Sequence, residues 1–216
     1  MAVRLIAFFC LWATAGLVWA DAASPWGGHA DTGKTRIAVC SACHGMDGQA
    51  TAPIYPSLAG QHETYIVDQL QSFKLGHRRN PIMLAMSQAL SEQDMHDIGA
   101  WFASQSGHAA SAAVPPPPDI AAGARLYRGG DTARQLPACM ACHGGDARGN
   151  PGSGYPQLRG QSATYLVSRL TDWQQARLPA GHPHADIMPS IARQLSPADI
   201  QALADYLQQL ETAPAP

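Results

Sequence analysis

Apolar side chains recur at helical spacing in two matching segments of the chain. The first set is Tyr65, Ile66, Leu70 and Phe73, and the second is Tyr165, Leu166, Leu170 and Trp173. A helix is therefore predicted to begin near Glu63, and its counterpart near Ser162. Because no segment shows the alternation of apolar and polar residues that a half-buried strand requires, the expected fold class is all-α.

Capping residues predict where the last helix of each half begins. Ser91-Glu-Gln-Asp94 and Ser196-Pro-Ala-Asp199 read as capping boxes, and the second carries proline at the first helical position. Apolar stripes follow each box and are interpreted as core residues: Ile98, Trp101, Phe102, and then Ile200, Leu203, Tyr206, Leu207 and Leu210. We expect three or four helices in each half, joined by long loops.

The two halves are a tandem repeat. Cys40 matches Cys139 at an offset of 99, and Tyr55-Pro-Ser-Leu-Ala-Gly-Gln61 matches Tyr155-Pro-Gln-Leu-Arg-Gly-Gln161 at an offset of 100. Ser91 matches Ser196 at an offset of 105, so the second half has five extra residues. This insertion is predicted to lie in one loop, between Trp173 and Met188.

Four consecutive prolines separate the halves and favour an extended, semi-rigid spacer. The predicted organisation is a first domain over 21–107, a linker over 108–119 and a second domain over 120–212. Domains of about 90 residues are small for a self-sufficient core. A covalently held apolar cofactor would supply the missing centre.

Residues 1–20 have the character of a secretory signal peptide. Arg4 gives the positive start, Leu5 to Val18 is apolar, and Val18-Trp19-Ala20 resembles a cleavage site. An uncleaved membrane anchor is the alternative, although the apolar run is short for a bilayer span. Export predicts a periplasmic protein.

The chemistry is indicated by Cys40-Ser-Ala-Cys43-His44 and Cys139-Met-Ala-Cys142-His143. C-x-x-C-H is the attachment site of a c-type haem. Residues three apart share a helix face, so both thiols can bond to one porphyrin edge while the histidine binds the iron. Two covalently bound haem c groups are predicted.

A bare C-x-x-C is also found in thioredoxin-like redox pairs and in zinc sites. A thioredoxin-like redox pair would require a βαβ unit around the motif, and the sequence shows none. A zinc site would leave the histidine of both motifs unexplained. Once the signal is removed, the four remaining cysteines all lie in the two motifs. None is left for a disulfide or a catalytic thiol.

Methionine is the usual second axial ligand of a cytochrome c iron. Met83 and Met188 each stand eight residues before a capping serine, so the repeat selects them as ligands. Met86 and Met95 align with isoleucines and are interpreted as packing residues. The competing ligands are three histidines in the same loops: His77, His182 and His184. Because the other repeat does not match them, each is interpreted as a surface or loop residue.

The loops that follow each motif are expected to hold the histidine rings. An axial histidine usually donates its other ring N–H to a carbonyl, which fixes its tautomer. Pro56 to Gly60 and Pro156 to Gly160 lie close enough along the chain to supply that carbonyl.

The charge excludes a nucleic-acid binder. Removing Arg4 leaves 13 basic and 16 acidic side chains. Residues 21–110 hold 5 Lys or Arg and 8 Asp or Glu, whereas residues 111–216 hold 8 of each. The halves are thus expected either to dock different partners or to differ only by ordinary surface variation.

With these motifs the chain resembles the class I cytochromes c, and specifically the dihaem cytochrome c4 family. The resemblance rests on C-S-A-C-H-G-x-D-G, Y-P-x-L-x-G-Q, the later methionine and L-S-x-x-D, nearly all of them repeated. It implies two tandem domains, each a few helices around haem c, and periplasmic electron transfer between respiratory donors and a terminal oxidase. It also implies redox partners such as a cytochrome complex, an oxidase or a dehydrogenase, and loose membrane association.

Two other functions stay open from the sequence. The chain would suit the cytochrome subunit of a flavoprotein sulfide dehydrogenase or another periplasmic dehydrogenase. A dihaem peroxidase or thiosulfate dehydrogenase is disfavoured, because both irons have a methionine available and no cysteine is spare. An electron-transfer protein that is not itself an enzyme is the expected function.

Overall fold

The structure is a computed structural model that describes residues 22–106, 120–175 and 186–210. Five predictions fall wholly or largely outside these residues: the signal peptide at 1–20, the linker at 108–119, the insertion between Trp173 and Met188, and the alternative ligands His182 and His184. Every structural statement below concerns the described part of the chain.

The first domain contains five α-helices, which are α1 (Ala30–Arg36), α2 (Ser41–His44), α3 (Glu63–Lys74), α4 (Pro81–Gln88) and α5 (Glu92–Ser104). Helices α1 and α3 both pack on α5, and α4 packs on α3. The core between them is a cluster of apolar residues: Ile37, Ile66, Val67, Leu70, Met95, Ile98 and Phe102.

The second domain repeats this arrangement with α6 (Ile120–Gly129), α7 (Met140–His143), α8 (Ala163–Gln175), α9 (Ile187–Ala192) and α10 (Pro197–Gln209). Helices α6 and α8 both pack on α10. The centre of its core includes Leu126, Tyr127, Leu166, Leu170, Ile200, Leu203, Tyr206 and Leu207. The described residues form no strand, only two isolated bridges, so the all-α prediction is confirmed.

Both predicted capping boxes are present. The Ser91 hydroxyl accepts the N–H of Asp94 while the Asp94 carboxylate accepts the N–H of Ser91. Ser196 and Asp199 make the same reciprocal pair. These bonds satisfy N–H groups that a helix start otherwise leaves without partners, so α5 and α10 begin where the sequence placed them.

Two expectations about helices were wrong. The methionines predicted in loops lie on short helices, Met83 on α4 and Met188 on α9. Asn80 caps α4 by accepting the N–H groups of Ile82 and Met83, with Pro81 at the first helical position. Three or four helices were also expected in each half, but each described domain has five, because the haem motif forms a short helix of its own, α2 or α7, separate from α1 or α6.

The domains contact each other through side chains that cross the junction. Arg78 donates from Nη2 to the Tyr165 hydroxyl at 3.0 Å, and the His62 ring nitrogen Nε2 lies 2.7 Å from the Arg148 carbonyl oxygen. Burial at this junction raises the pKa of Tyr65 to about 12. No helix of the described residues has the length and apolar character needed to cross a membrane.

Candidate haem-binding sites

Each C-x-x-C-H motif is a single helical turn with its first cysteine at the N-cap. Helix α2 runs from Ser41 to His44 after Cys40, and α7 runs from Met140 to His143 after Cys139. The helix stops directly after the histidine because the next glycine has a left-handed backbone, with φ of 74° at Gly45 and 79° at Gly144. Glycine adopts this conformation without the steric penalty of a side chain.

Both motif histidines are buried and held by one hydrogen bond. The Nδ1 atom of His44 lies 2.9 Å from the carbonyl oxygen of Pro56, and that of His143 lies 3.1 Å from the carbonyl oxygen of Pro156. The predicted carbonyl contact is therefore confirmed in both domains. Since a carbonyl only accepts, Nδ1 carries the hydrogen, and Nε2 is left with its lone pair for a metal.

Burial also sets the charge of these rings. It lowers the pKa of His44 and of His143 below the usual range, against a smaller opposing effect of the bonds to Pro56 and Pro156. Both rings are consequently neutral near pH 7. Neutral imidazole is the form that ligates a metal.

The first thiol of each motif is partly buried. Burial raises the pKa of Cys40, and it raises that of Cys139 to about 11. A reactive redox cysteine normally has a lowered pKa instead. The thioredoxin-like alternative is therefore disfavoured.

A tyrosine flanks the histidine of each motif. The Tyr55 ring lies 6.3 Å from the His44 ring, and the Tyr155 ring lies 6.1 Å from the His143 ring. Hydrogen bonding to the second motif cysteine raises the pKa of each tyrosine. The tyrosine that opens the repeated Y-P-x-L-x-G-Q motif thus belongs to the site, a role that the sequence analysis missed.

Met83 and Met188 lie at equivalent places in the two domains. Each is partly buried and packs on the core of its own domain, as do the first motif cysteines Cys40 and Cys139. Met95 is 2% exposed and belongs to the core, as predicted. Met86 is 40% exposed, so the prediction that it packs in the core was wrong.

Two other histidines already have partners. The His96 Nδ1 atom lies 2.8 Å from the buried Glu63 carboxylate, and His62 contacts the second domain at Arg148. Neither contact involves a motif residue. His77 is exposed.

Further aromatic side chains tie the motif loops to the long helices. Trp101 on α5 donates its indole N–H to the Met46 carbonyl at 3.0 Å, and the Tyr127 hydroxyl on α6 donates to the Gly144 carbonyl at 2.6 Å. Both bonds hold the segment just after a motif histidine. The sequence analysis assigned Trp101 to packing and did not foresee this second role.

These groups fit a covalently attached haem c. Each domain offers two thiols three residues apart, a neutral histidine with Nε2 available, and a thioether sulfur packed on the same core. A structural zinc site would instead need several converging ligands. In the described ranges no three His, Cys, Asp or Glu side chains converge in that way.

Comparison with known proteins gives a consistent result. A family model for cytochrome c matches residues 30–106 and again 120–211. Cytochrome c4 of Stutzerimonas stutzeri is 40% identical over 192 residues, which cover 85% of this chain and 90% of the relative. A thiosulfate dehydrogenase electron acceptor of Stutzerimonas stutzeri strain A1501 is 38% identical over 178 residues, which cover 77% and 76% of the two chains.

The fold is likewise similar to a solved structure. The crystal structure of reduced recombinant cytochrome c4 from Pseudomonas stutzeri superposes with a TM-score of 0.78 at 39% sequence identity. The match covers 86% of this chain and all of that one.

Proposed function

We propose that this chain, which belongs to the cytochrome c family, carries single electrons between periplasmic redox proteins. It is a dihaem electron-transfer cytochrome with two covalently bound haem c groups. In the proposed function both iron atoms have two protein ligands each. The observation that carries this proposal is the pair of buried, neutral histidines, each fixed by a proline carbonyl. The same geometry in both domains favours two haems of one type.

Haem iron supplies a one-electron ferric–ferrous couple when bound. Cys40 and Cys43 would hold the first haem through thioethers, and Cys139 and Cys142 the second. His44 with Met83, and His143 with Met188, would be the axial ligands. If these two protein residues hold each iron, no position would be left on it for a substrate, so the chain would carry electrons without being an enzyme.

The protein's part is to set the potential of each iron. Methionine as a ligand raises the potential relative to a second histidine. The two histidines are buried, and Met83 and Met188 are partly buried against the core, so the access of water to these ligands would be limited. The carbonyls of Pro56 and Pro156 fix which ring nitrogen of each histidine binds metal.

We place the protein in the periplasm, exported by a signal peptide over 1–20, with domains over 21–107 and 120–212 joined by the linker at 108–119. C-type haem and apolar signal character support that location. The proposed partners are redox proteins: a cytochrome complex or dehydrogenase as donor and a terminal oxidase as acceptor. The unequal charge of the halves suits two different partners.

A second role is favoured by one comparison. The similarity to a thiosulfate dehydrogenase electron acceptor suits a chain that takes electrons from one dedicated dehydrogenase. A flavoprotein sulfide dehydrogenase is another donor of that class. The chemistry of this chain is the same in either role, and only the donor differs.

The experiment is anaerobic titration of the purified dihaem protein followed by exposure to candidate ligands and substrates. We expect uptake of two electrons per chain, no rapid carbon monoxide binding by the reduced protein, and no turnover of peroxide or thiosulfate. Fast carbon monoxide binding or turnover would show an open iron and overturn the carrier function. Stable co-purification with a dehydrogenase would select the second role.

A further inference from the structure

Gln61 and Gln161 end the two copies of the Y-P-x-L-x-G-Q motif, and each reaches into the other domain. The Gln161 side chain is 7% exposed. Its Oε1 accepts the N–H of Ser57 at 3.0 Å, and its Nε2 donates to the Ser57 carbonyl at 3.0 Å. One amide side chain therefore satisfies both backbone groups of a residue 104 positions away.

The reciprocal contact is made in the opposite direction. The Gln61 side chain is 5% exposed. Its Oε1 accepts the N–H of Gln157 at 3.0 Å, and its Nε2 donates to the Gln157 carbonyl at 2.9 Å. The two glutamines thus form a twofold-related pair of clamps across the domain junction.

Each clamp acts on the peptide group that holds a motif histidine. The N–H of Ser57 and the carbonyl of Pro56 belong to the same peptide bond, and that carbonyl accepts the His44 ring N–H. In the second domain the N–H of Gln157 and the carbonyl of Pro156, which accepts from His143, are likewise one peptide. A continuous hydrogen-bonded chain therefore runs from each glutamine to the histidine of the other domain.

Each hydrogen bond in such a series polarises the groups of the next one. An acceptor on the N–H side of a peptide makes its carbonyl oxygen more negative and so a stronger acceptor. A stronger acceptor at Nδ1–H increases the basicity of an imidazole ligand. A more basic ligand stabilises the ferric form and lowers the potential of the iron that it binds.

We propose that Gln61 and Gln161 are positioning residues that each act on the haem of the other domain. Gln161 of the second domain lowers the reduction potential of the haem held by His44. Gln61 of the first domain lowers the reduction potential of the haem held by His143. The proposal rests on the histidine ligation of the proposed function. It makes the potential of each haem depend on docking of the other domain. Loosening of the junction would raise both potentials together.

The test uses the full dihaem protein with Gln161→Met, which keeps the length of the side chain. It removes both interdomain hydrogen bonds, together with the bond that Oε1 accepts from the Ser162 N–H within the second domain. A redox titration followed by NMR reports each haem through the ring signals of its own histidine. We expect the haem of His44 to titrate at a higher potential, and the His44 Nδ1–H signal of the reduced protein to move upfield. His143 should keep both its potential and its Nδ1–H signal. Gln61→Met should give the mirror result.

Two control variants remove a neighbouring interdomain bond without touching these peptides. Ser162→Ala deletes the hydroxyl that donates to the Pro53 carbonyl at 2.7 Å. Thr64→Val deletes the hydroxyl that donates to the Pro151 carbonyl at 3.0 Å. Neither control should move either potential.

A shift confined to the haem of the mutated domain, equal shifts in both haems, or the same shift in a control variant would overturn the proposal. If Gln161→Met does not fold, scalar coupling across the hydrogen bond between Ser57 N and the Gln161 side-chain carbonyl carbon is measured in the unmutated protein. Its absence would also overturn the proposal. Absence of haem ring-current shifts on the His44 ring would instead count against the proposed ligation.

Discussion

Gly123 of α6 meets the backbone of Ala202 on α10 so closely that no side chain fits between them. A Cβ on Gly123 would lie 2.0 Å from the Ala202 carbonyl oxygen. Gly33 of α1 has the same relationship to Asp97 on α5, also at 2.0 Å. The first and last helices of each domain therefore cross at a glycine.

Replacing either crossing glycine is expected to push the helices apart. We expect Gly123→Ala or Gly33→Ala to lower the free energy of unfolding by more than about 2 kcal/mol, because backbone atoms cannot move aside as a flexible side chain can. Gly129→Ala on α6 is the matched control, since nothing lies within 4 Å of a Cβ there. Urea unfolding followed by circular dichroism measures all three. Equal stability of Gly123→Ala and Gly129→Ala would contradict the close crossing.

Glu63 is a buried carboxylate that the second domain replaces with Ala163. It is 3% exposed, accepts the Ser24 hydroxyl and the Gly28 N–H, and contacts the His96 ring. We expect Glu63→Ala to cost about 1–3 kcal/mol, because the buried donors lose their acceptor. Amide hydrogen exchange should show the Gly28 N–H losing protection before the core of the domain does.

The exposed Glu92→Ala is the comparison for that experiment. It should change stability by less than about 0.5 kcal/mol, as surface substitutions usually do. If Glu63→Ala were equally harmless, the Glu63 contacts would contribute nothing to the first domain.

The capping-box carboxylates are expected to make the stability of the fold depend on pH in the acid range. The Ser91 backbone N–H lowers the pKa of Asp94. At Asp199 burial works in the opposite direction, but hydrogen bonds from Arg134 and Ser196 outweigh it and the pKa is also lowered. A carboxylate whose pKa is lower in the folded state stabilises the fold fully above its unfolded pKa of about 3.9, and this stability is lost as the pH falls through the folded pKa.

We therefore expect Asp199→Asn to flatten the fall in stability below about pH 4, relative to the unmutated protein. Thermal melting across the acid range measures the slope. Asp205→Asn on the same helix is the control, because its carboxylate accepts from the Gln201 side chain and takes no part in the capping box. Identical slopes for Asp199→Asn and the unmutated protein would show that the capping carboxylate is not coupled to folding.

The sequence predicted those helices that are indicated by residues close together along the chain. Capping boxes at Ser91 and Ser196, with periodic apolar residues behind them, gave the last helices, and the same periodicity gave the helices that begin near Glu63 and Ala163. Helix α4 was not predicted, although asparagine at the N-cap followed by proline, as in Asn80-Pro81, is typical of a helix start. Helix α9 has no side-chain cap and offered no such signal.

The haem-binding sites were predicted only where the residues involved lie close together in the sequence. The motif residues and the carbonyl for each histidine are close in sequence, so local reasoning reached them. The clamp of Gln161 on Ser57 spans 104 positions and depends on how the domains dock, which hydrophobic periodicity does not determine. The repeat did mark both glutamines, but without a role.

The proposed electron transfer depends on methionine binding to both haem irons. The direct measurement is the Met–iron charge-transfer band of the oxidised protein, with redox titration, in Met83→Ala, Met188→Ala and the control Met86→Ala on the same helix. We expect each of the first two variants to lose about half of the band and to lower the potential of one haem, since methionine ligation raises it. Met86→Ala should keep the full band. Retention of the full band in Met83→Ala and Met188→Ala would contradict the ligand assignment and, with it, the closed irons on which the carrier function depends.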